Sequence, residues 1–110
     1  MEGFIQVTTT ADKRADAERI ARSLVEMRLA ACVQIVGPIT SIYRWKGKIE
    51  MAGEWLCLIK SREENYGAVE QAVRSLHPYE TPEIIAVPLT AGSRDYLGWL
   101  RDELAAPCEE

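Results

Sequence analysis

The one histidine of this 110-residue chain, His77, is followed by Pro78, Tyr79, Glu80 and Glu83. Imidazole beside carboxylates is a donor set that copper(II) or zinc accepts. The same position, directly ahead of a proline, also suits a helix C-cap whose ring bonds the last carbonyls. Residue types alone leave both readings open. Cys32 offers a soft ligand where it is exposed and a small core residue where it is not. Tyr43 and Trp45 stand one residue apart in "SIYRWKGKIE" and so share a strand face. They read as a half-buried cross-strand aromatic cluster or as the wall of a binding site. Lys60 closes an apolar stretch and can pair with Glu80 or Glu83, or stay at the surface. Glu50 and Glu54 flank the start of that stretch and read as solvated edge charge.

Several chemistries are missing. The chain has no GxGxxG, no Walker loop and no GxSxG elbow, so phosphate cradling and serine hydrolysis of those types have no support. A Cys–His nucleophile pair would need His77 with Cys32 or Cys57, and both thiols sit in apolar segments where burial makes a thiol inert. No catalytic residue is expected, and the chain reads as a non-enzyme with no obligatory cofactor. Three scattered cysteines with no CxxC pair argue for reduced thiols, not for a disulfide framework or structural zinc. A net charge of −4 gives nucleic acid no basic patch to bind. No apolar run is long enough to span a bilayer, and "MEGFIQVTTT" is no signal peptide, so no membrane partner and a cytoplasmic location are expected.

These residues need elements to position them. The length fits one domain, residues 1–110, and 47% apolar with 27% charged residues marks a globular chain. "FIQVTTT" (4–10) is β-branched and predicts a strand. Ala17, Ile20, Ala21, Leu24 and Met27 recur at helical spacing over about 13–29, with Thr10 or Asp12 able to cap the start. A strand over 31–37, interrupted at Gly37-Pro38, resumes over 39–45 and turns at Lys46-Gly47. The return strand 53–61 is apolar on both faces, with Trp55, Cys57 and Ile59 on one and Leu56 and Leu58 on the other. That pattern demands cover on both sides. "SREE" (61–64) has the form of a capping box, and Tyr66, Val69, Val73 and Leu76 stripe the helix behind it up to Pro78. A strand at 84–89 and a last helix capped by Ser93, with Tyr96, Leu97, Leu100 and Leu104 inward, precede a frayed "PCEE" tail. The first six elements give the α+β, ferredoxin-like βαββαβ sandwich, with an extra C-terminal helix and helices on one face of the sheet. The other face is left bare, and an oligomer is the economical cover.

"LAACVQ" (29–34), "SIYRWKGKIE" (41–50), "EWLCLIKS" (54–61), "HPYETPEIIAVPL" (77–89) and "YLGWL" (96–100), in that order and at that spacing, resemble the CutA divalent-cation tolerance proteins. The likeness runs from the first strand to the last helix. It implies the ferredoxin-like fold in a tight homotrimer, with long second and third strands reaching onto neighbouring subunits and an assembly like that of the PII signalling proteins. It also implies tolerance of divalent metals and binding of copper(II), with no firm catalytic activity. The family's cleft motif falls on Tyr43, Trp45, Lys60, His77, Tyr79 and Glu83, and its "AAC" cysteine on Cys32. One departure is plain: the first strand, "QVTTT", carries no thiol, so binding should lean on His77 and carboxylates.

Two functions follow as expectations. The first is a trimer responding to copper(II) or another divalent ion, with His77, Cys32 and Glu80 as ligands. The second is a PII-like sensor or scaffold whose intersubunit cleft binds a small anionic metabolite or a partner protein, on Lys60 and the aromatics.

Overall fold

β1 (Phe4–Ala11) lies at the middle of a four-stranded antiparallel sheet in the order β2-β3-β1-β4. The computed structural model describes residues 3–105, so Cys108 and the "PCEE" tail lie outside the described residues. α1 (Arg14–Glu26) follows β1; β2 (Cys32–Trp45) and β3 (Lys48–Arg62) form a long hairpin; α2 (Tyr66–Leu76), β4 (Ile85–Pro88) and α3 (Arg94–Glu103) complete the chain. This is the ferredoxin-like order expected.

Alternation along the strands decides the layers. Ile5, Val7 and Ala11 of β1 and Cys57 and Ile59 of β3 point one way and are buried with Ala17, Ile20 and Leu24 of α1 and Val69 and Val73 of α2. Phe4 points the other way and packs with Leu100 of α3 and with Leu104, the residue that caps it. The helices are therefore not all on one face: α3 closes the end of the second face. The rest of that face stays open, with Val36, Ile85 and Val87 exposed beside the half-buried Leu56 and Leu58. Cys57 behaves as core. Its thiol donates to the Ala17 carbonyl at 3.9 Å, and burial pushes its pKa up to about 11.

Several boundaries move for physical reasons. Gly37-Pro38 does not split β2; the strand runs on with a shift of register between Val36 and Ile39. Gly37 is required there, because an added Cβ would lie 2.6 Å from the Trp55 ring. β3 starts directly after the turn at Lys48 and runs to Arg62, which pairs with Phe4. The "SREE" capping box is therefore corrected. Ser61 is buried in the strand and donates to the Leu29 carbonyl at 2.6 Å, while a 3₁₀ turn at Glu63–Asn65 leads into α2. α1 is capped by neither Thr10 nor Asp12; its N-cap is Lys13, with no side-chain bond. It ends early because Arg28 turns left-handed at φ 59. The Arg28 N–H then bonds Val25 and the Leu29 N–H bonds Leu24, a Schellman closure. Ser93 does cap α3, accepting from the Tyr96 N–H at 3.2 Å.

The hairpin has a further consequence. β1 pairs with β3 only from Trp55 onward, so residues 48–54 have β2 as their single neighbour. At ~3.3 Å per residue this is a two-stranded arm of roughly 20 Å, in keeping with a molecule 43 Å long and 24 Å thick. Lys46 and Gly47, at φ 50 and 80, form its tip as a two-residue turn of the type that matches strand twist.

Candidate functional site

The arm and the segment 79–83 enclose an open cleft of about 710 Å³. Ser41, Tyr43 and Trp45 reach it from β2 and Glu54 from β3; Tyr79, Glu80 and Glu83 close the opposite side. Strand register explains the first group: Ser41 pairs with Ala52, Tyr43 with Glu50 and Trp45 with Lys48, so alternate residues share one arm face. The opposite side is shaped by Pro78 and Pro82, which stop α2 from continuing.

His77 anchors the far wall from below. It is 8% exposed. Its Nε2–H donates to the Thr10 carbonyl at 2.6 Å, and its Nδ1 accepts the Tyr79 N–H at 3.1 Å. A carbonyl can only accept and a backbone N–H can only donate, so these partners select the Nε2–H tautomer. The ring ties β1 to the Tyr79 segment and does not bond the last carbonyls of α2. Both ring nitrogens are occupied, which leaves no lone pair for a metal in this arrangement. The ring also packs against Tyr79, with centroids 4.6 Å apart.

Tyr79 passes the connection on. Its hydroxyl donates to Glu54 Oε2 at 2.7 Å. Burial, then the bond and charge of Glu54, then the charges of Asp12 and Tyr43, raise its pKa well above the usual phenol value, so it stays a donor. Glu54 is not the solvated edge charge expected: it is 6% exposed. The sequence signal was present but slight, an acid opening the otherwise apolar "GEWLCLI". Glu50 is exposed, as expected.

The expected ligand set divides. Tyr43, Trp45, Tyr79, Glu80 and Glu83 line the cleft, and His77 lies beneath it. Lys60 does not reach it. It stands six residues beyond Glu54 on β3, ~20 Å away, and donates to Gln34 Oε1 at 2.9 Å instead of pairing with Glu80 or Glu83. Cys32 is opposite Lys60 in the register. It meets Tyr96 of α3, whose pKa is raised first by burial and then by the neighbouring thiol. Among the described residues, no three His, Cys, Asp or Glu side chains converge as a metal cluster. Among the described residues that line it, the cleft offers three carboxylates, three aromatic rings and no Lys, Arg or His. A small anion thus finds no charge partner there.

Residues 5–103 match the profile of the CutA1 divalent ion tolerance protein family. The chain is 44% identical over 102 residues to the divalent-cation tolerance protein CutA of Thermus thermophilus, covering 93% of this chain and 97% of that one. It is 52% identical over 85 residues to human protein CutA, of whose length it spans 48%. The solved Thermus thermophilus Cut A1 structure superposes with a TM-score of 0.90 at 43% identity, covering 93% of this chain and 99% of that one. A family match over nearly the whole chain and a superposition over 93% of it at a TM-score of 0.90 agree: the chain belongs to the CutA1 divalent ion tolerance family.

Proposed function

We propose that the protein acts in the response to divalent metal ions, without catalysing a reaction, by taking up copper(II) or a similar ion at the acidic cleft. The observation that carries this reading is the lining itself: Glu54, Glu80 and Glu83 face one space, and no Lys, Arg or His is among the described residues that line it. Glu80 and Glu83 are exposed and open to an entering ion, with Glu54 buried behind. Copper(II) prefers nitrogen and sulfur donors where they are offered. His77 is engaged on both nitrogens, and Cys32 lies outside the cleft, half-buried beside Tyr96 of α3. One chain therefore supplies oxygen ligands, and a neighbouring copy completes the set.

A homotrimer of the PII-like kind fits that need. The open sheet face and the arm's second face, where Ile49 and Met51 are 70% and 72% exposed, are the apolar surfaces such an assembly would cover. Among the described residues no helix is long and apolar enough to cross a membrane; we place the protein in the cytoplasm, although an Arabidopsis relative is called chloroplastic and a solved Archaeoglobus one periplasmic.

Calorimetric titration of the metal-free protein with copper(II), zinc(II) and magnesium(II) tests the site. Binding should be lost in the Glu80→Gln/Glu83→Gln double variant. Unchanged copper binding there, with loss in Cys32→Ser, would move the site to the thiol. Light scattering should give three times the chain mass of 12.4 kDa.

A further inference from the structure

We infer that the same cleft is a site for a small organic cation, an alkylammonium or guanidinium compound, held between aromatic rings and carboxylates. The inference shares the cleft with the metal reading but needs no metal. Its size, about 710 Å³, falls within the ~300–1,000 Å³ usual for small-molecule sites.

Charge sets the sign of the ligand. Glu54 is more than nine-tenths buried, and among the described residues its one hydrogen-bond partner is the neutral Tyr79 hydroxyl. No ion pair among the described residues includes it. A buried carboxylate without a counter-charge is costly, and this one faces a space large enough to admit a cation. Glu80 and Glu83 stand at the rim.

The rings set the kind of cation. Tyr43 and Trp45 remain 44% and 40% exposed on the cleft side of the arm, opposite Tyr79. A strongly hydrated metal dication gains little from such walls. A weakly hydrated organic cation gains both cation–π attraction and burial of its methylenes. The chain supplies its own example: the Lys46 ammonium stands 5.7 Å from the Trp45 ring centroid.

The test is calorimetry on the full chain with putrescine dihydrochloride and tetramethylammonium chloride at low ionic strength, beside magnesium chloride and sodium acetate as controls. Both organic cations should bind saturably. Trp45→Ala should weaken them about 2- to 30-fold and Glu54→Gln about tenfold or more, while magnesium binding ignores Trp45→Ala. Circular dichroism checks each fold. Should Glu54→Gln fail to fold, Glu83→Gln at an exposed position replaces it, with a smaller loss expected. Absent saturable heat with either cation, binding that ignores Trp45→Ala, or acetate binding in their place would overturn the inference. Organic-cation binding without copper binding would refute the metal proposal alone, and copper binding without organic cations would refute this one alone.

Discussion

Replacing Tyr79 by Phe removes one oxygen from a contact whose other side is deeply buried. The hydroxyl donates to Glu54 Oε2 at 2.7 Å, and Glu54 is 6% exposed. Hydrogen bonds to charged groups contribute about 1.5–3 kcal/mol, and a buried acceptor left without its donor costs about 1–3 kcal/mol. Tyr79 itself is half-exposed, so water reaches part of the gap, and a loss of about 2 kcal/mol is expected for Tyr79→Phe. Glu54→Gln keeps the shape and an acceptor oxygen while removing a buried charge that has no ion-pair partner among the described residues, so its loss should be smaller, about 1 kcal/mol or less. The double variant should lose less than the sum, with a coupling of about 1–2 kcal/mol. Urea unfolding at one fixed protein concentration measures all four states, since association would otherwise enter the apparent stability. Single losses that add within about 0.5 kcal/mol would mean that the two groups do not stabilise each other, and the account of a cleft wall held through Tyr79 and Glu54 would fail.

The arm's tip and its root give opposite expectations. Lys46 holds φ 50, so Lys46→Asn should stabilise by about 0.5–1 kcal/mol in thermal unfolding. Gly37→Ala places a Cβ 2.6 Å from the Trp55 ring and 3.1 Å from the Glu54 carbonyl, and should cost about 1–3 kcal/mol in the same assay. The Tyr79 phenol has a pKa raised above that of the unfolded chain. The stabilisation linked to that shift is complete below about pH 10 and is lost as the pH rises further. Urea unfolding across that range should therefore show a shallower alkaline decline in Tyr79→Phe than in the wild type. Ile49→Lys with Met51→Lys, at positions about 70% exposed, should lower the mass of the assembly seen by light scattering without unfolding the chain.

The fold was legible because its evidence is local. β-branched alternation in "FIQVTTT", helical spacing from Ala17 to Leu24 and the Lys46-Gly47 turn each report a preference that the sheet then satisfies. Doubly apolar "WLCLI" announced a strand needing cover on both faces, and the structure gives it helices on one face and an open apolar surface on the other. Ser61 misled because a capping box is a pattern of four residues, whereas pairing of Arg62 with Phe4 is set across 58 residues of chain. The cleft was legible in composition but not in membership. Tyr43, Trp45, Tyr79, Glu80 and Glu83 meet, yet Lys60 is separated from them by register alone, which a list of residues does not encode. Glu54 was missed for the converse reason: an acid beside a turn is ordinarily solvated, and its partner, the Tyr79 hydroxyl, arrives from 25 residues further along the chain.

The cleft and the arm are thermodynamically one unit. Tyr43 and Trp45 stand on a stretch of β2 whose only strand neighbour is residues 48–54 of β3, and those residues have no β1 behind them. A two-stranded hairpin is marginal in water without a packed face, and the face away from the cleft carries Ile49 and Met51 into solvent. The far wall is held differently. Tyr79 is fixed through His77 to the Thr10 carbonyl of the central strand. One side of the cleft is thus tied to the sheet, while the other is only as ordered as the arm. On the readings proposed above, a copy covering Ile49 and Met51 would also fix the aromatic wall, and a cation held by that wall would restrain the arm in return. The two equilibria must favour each other by the same factor. Assembly of the chain should therefore strengthen binding in the cleft even where the partner copy touches no ligand, by removing the ordering cost that a lone arm would carry.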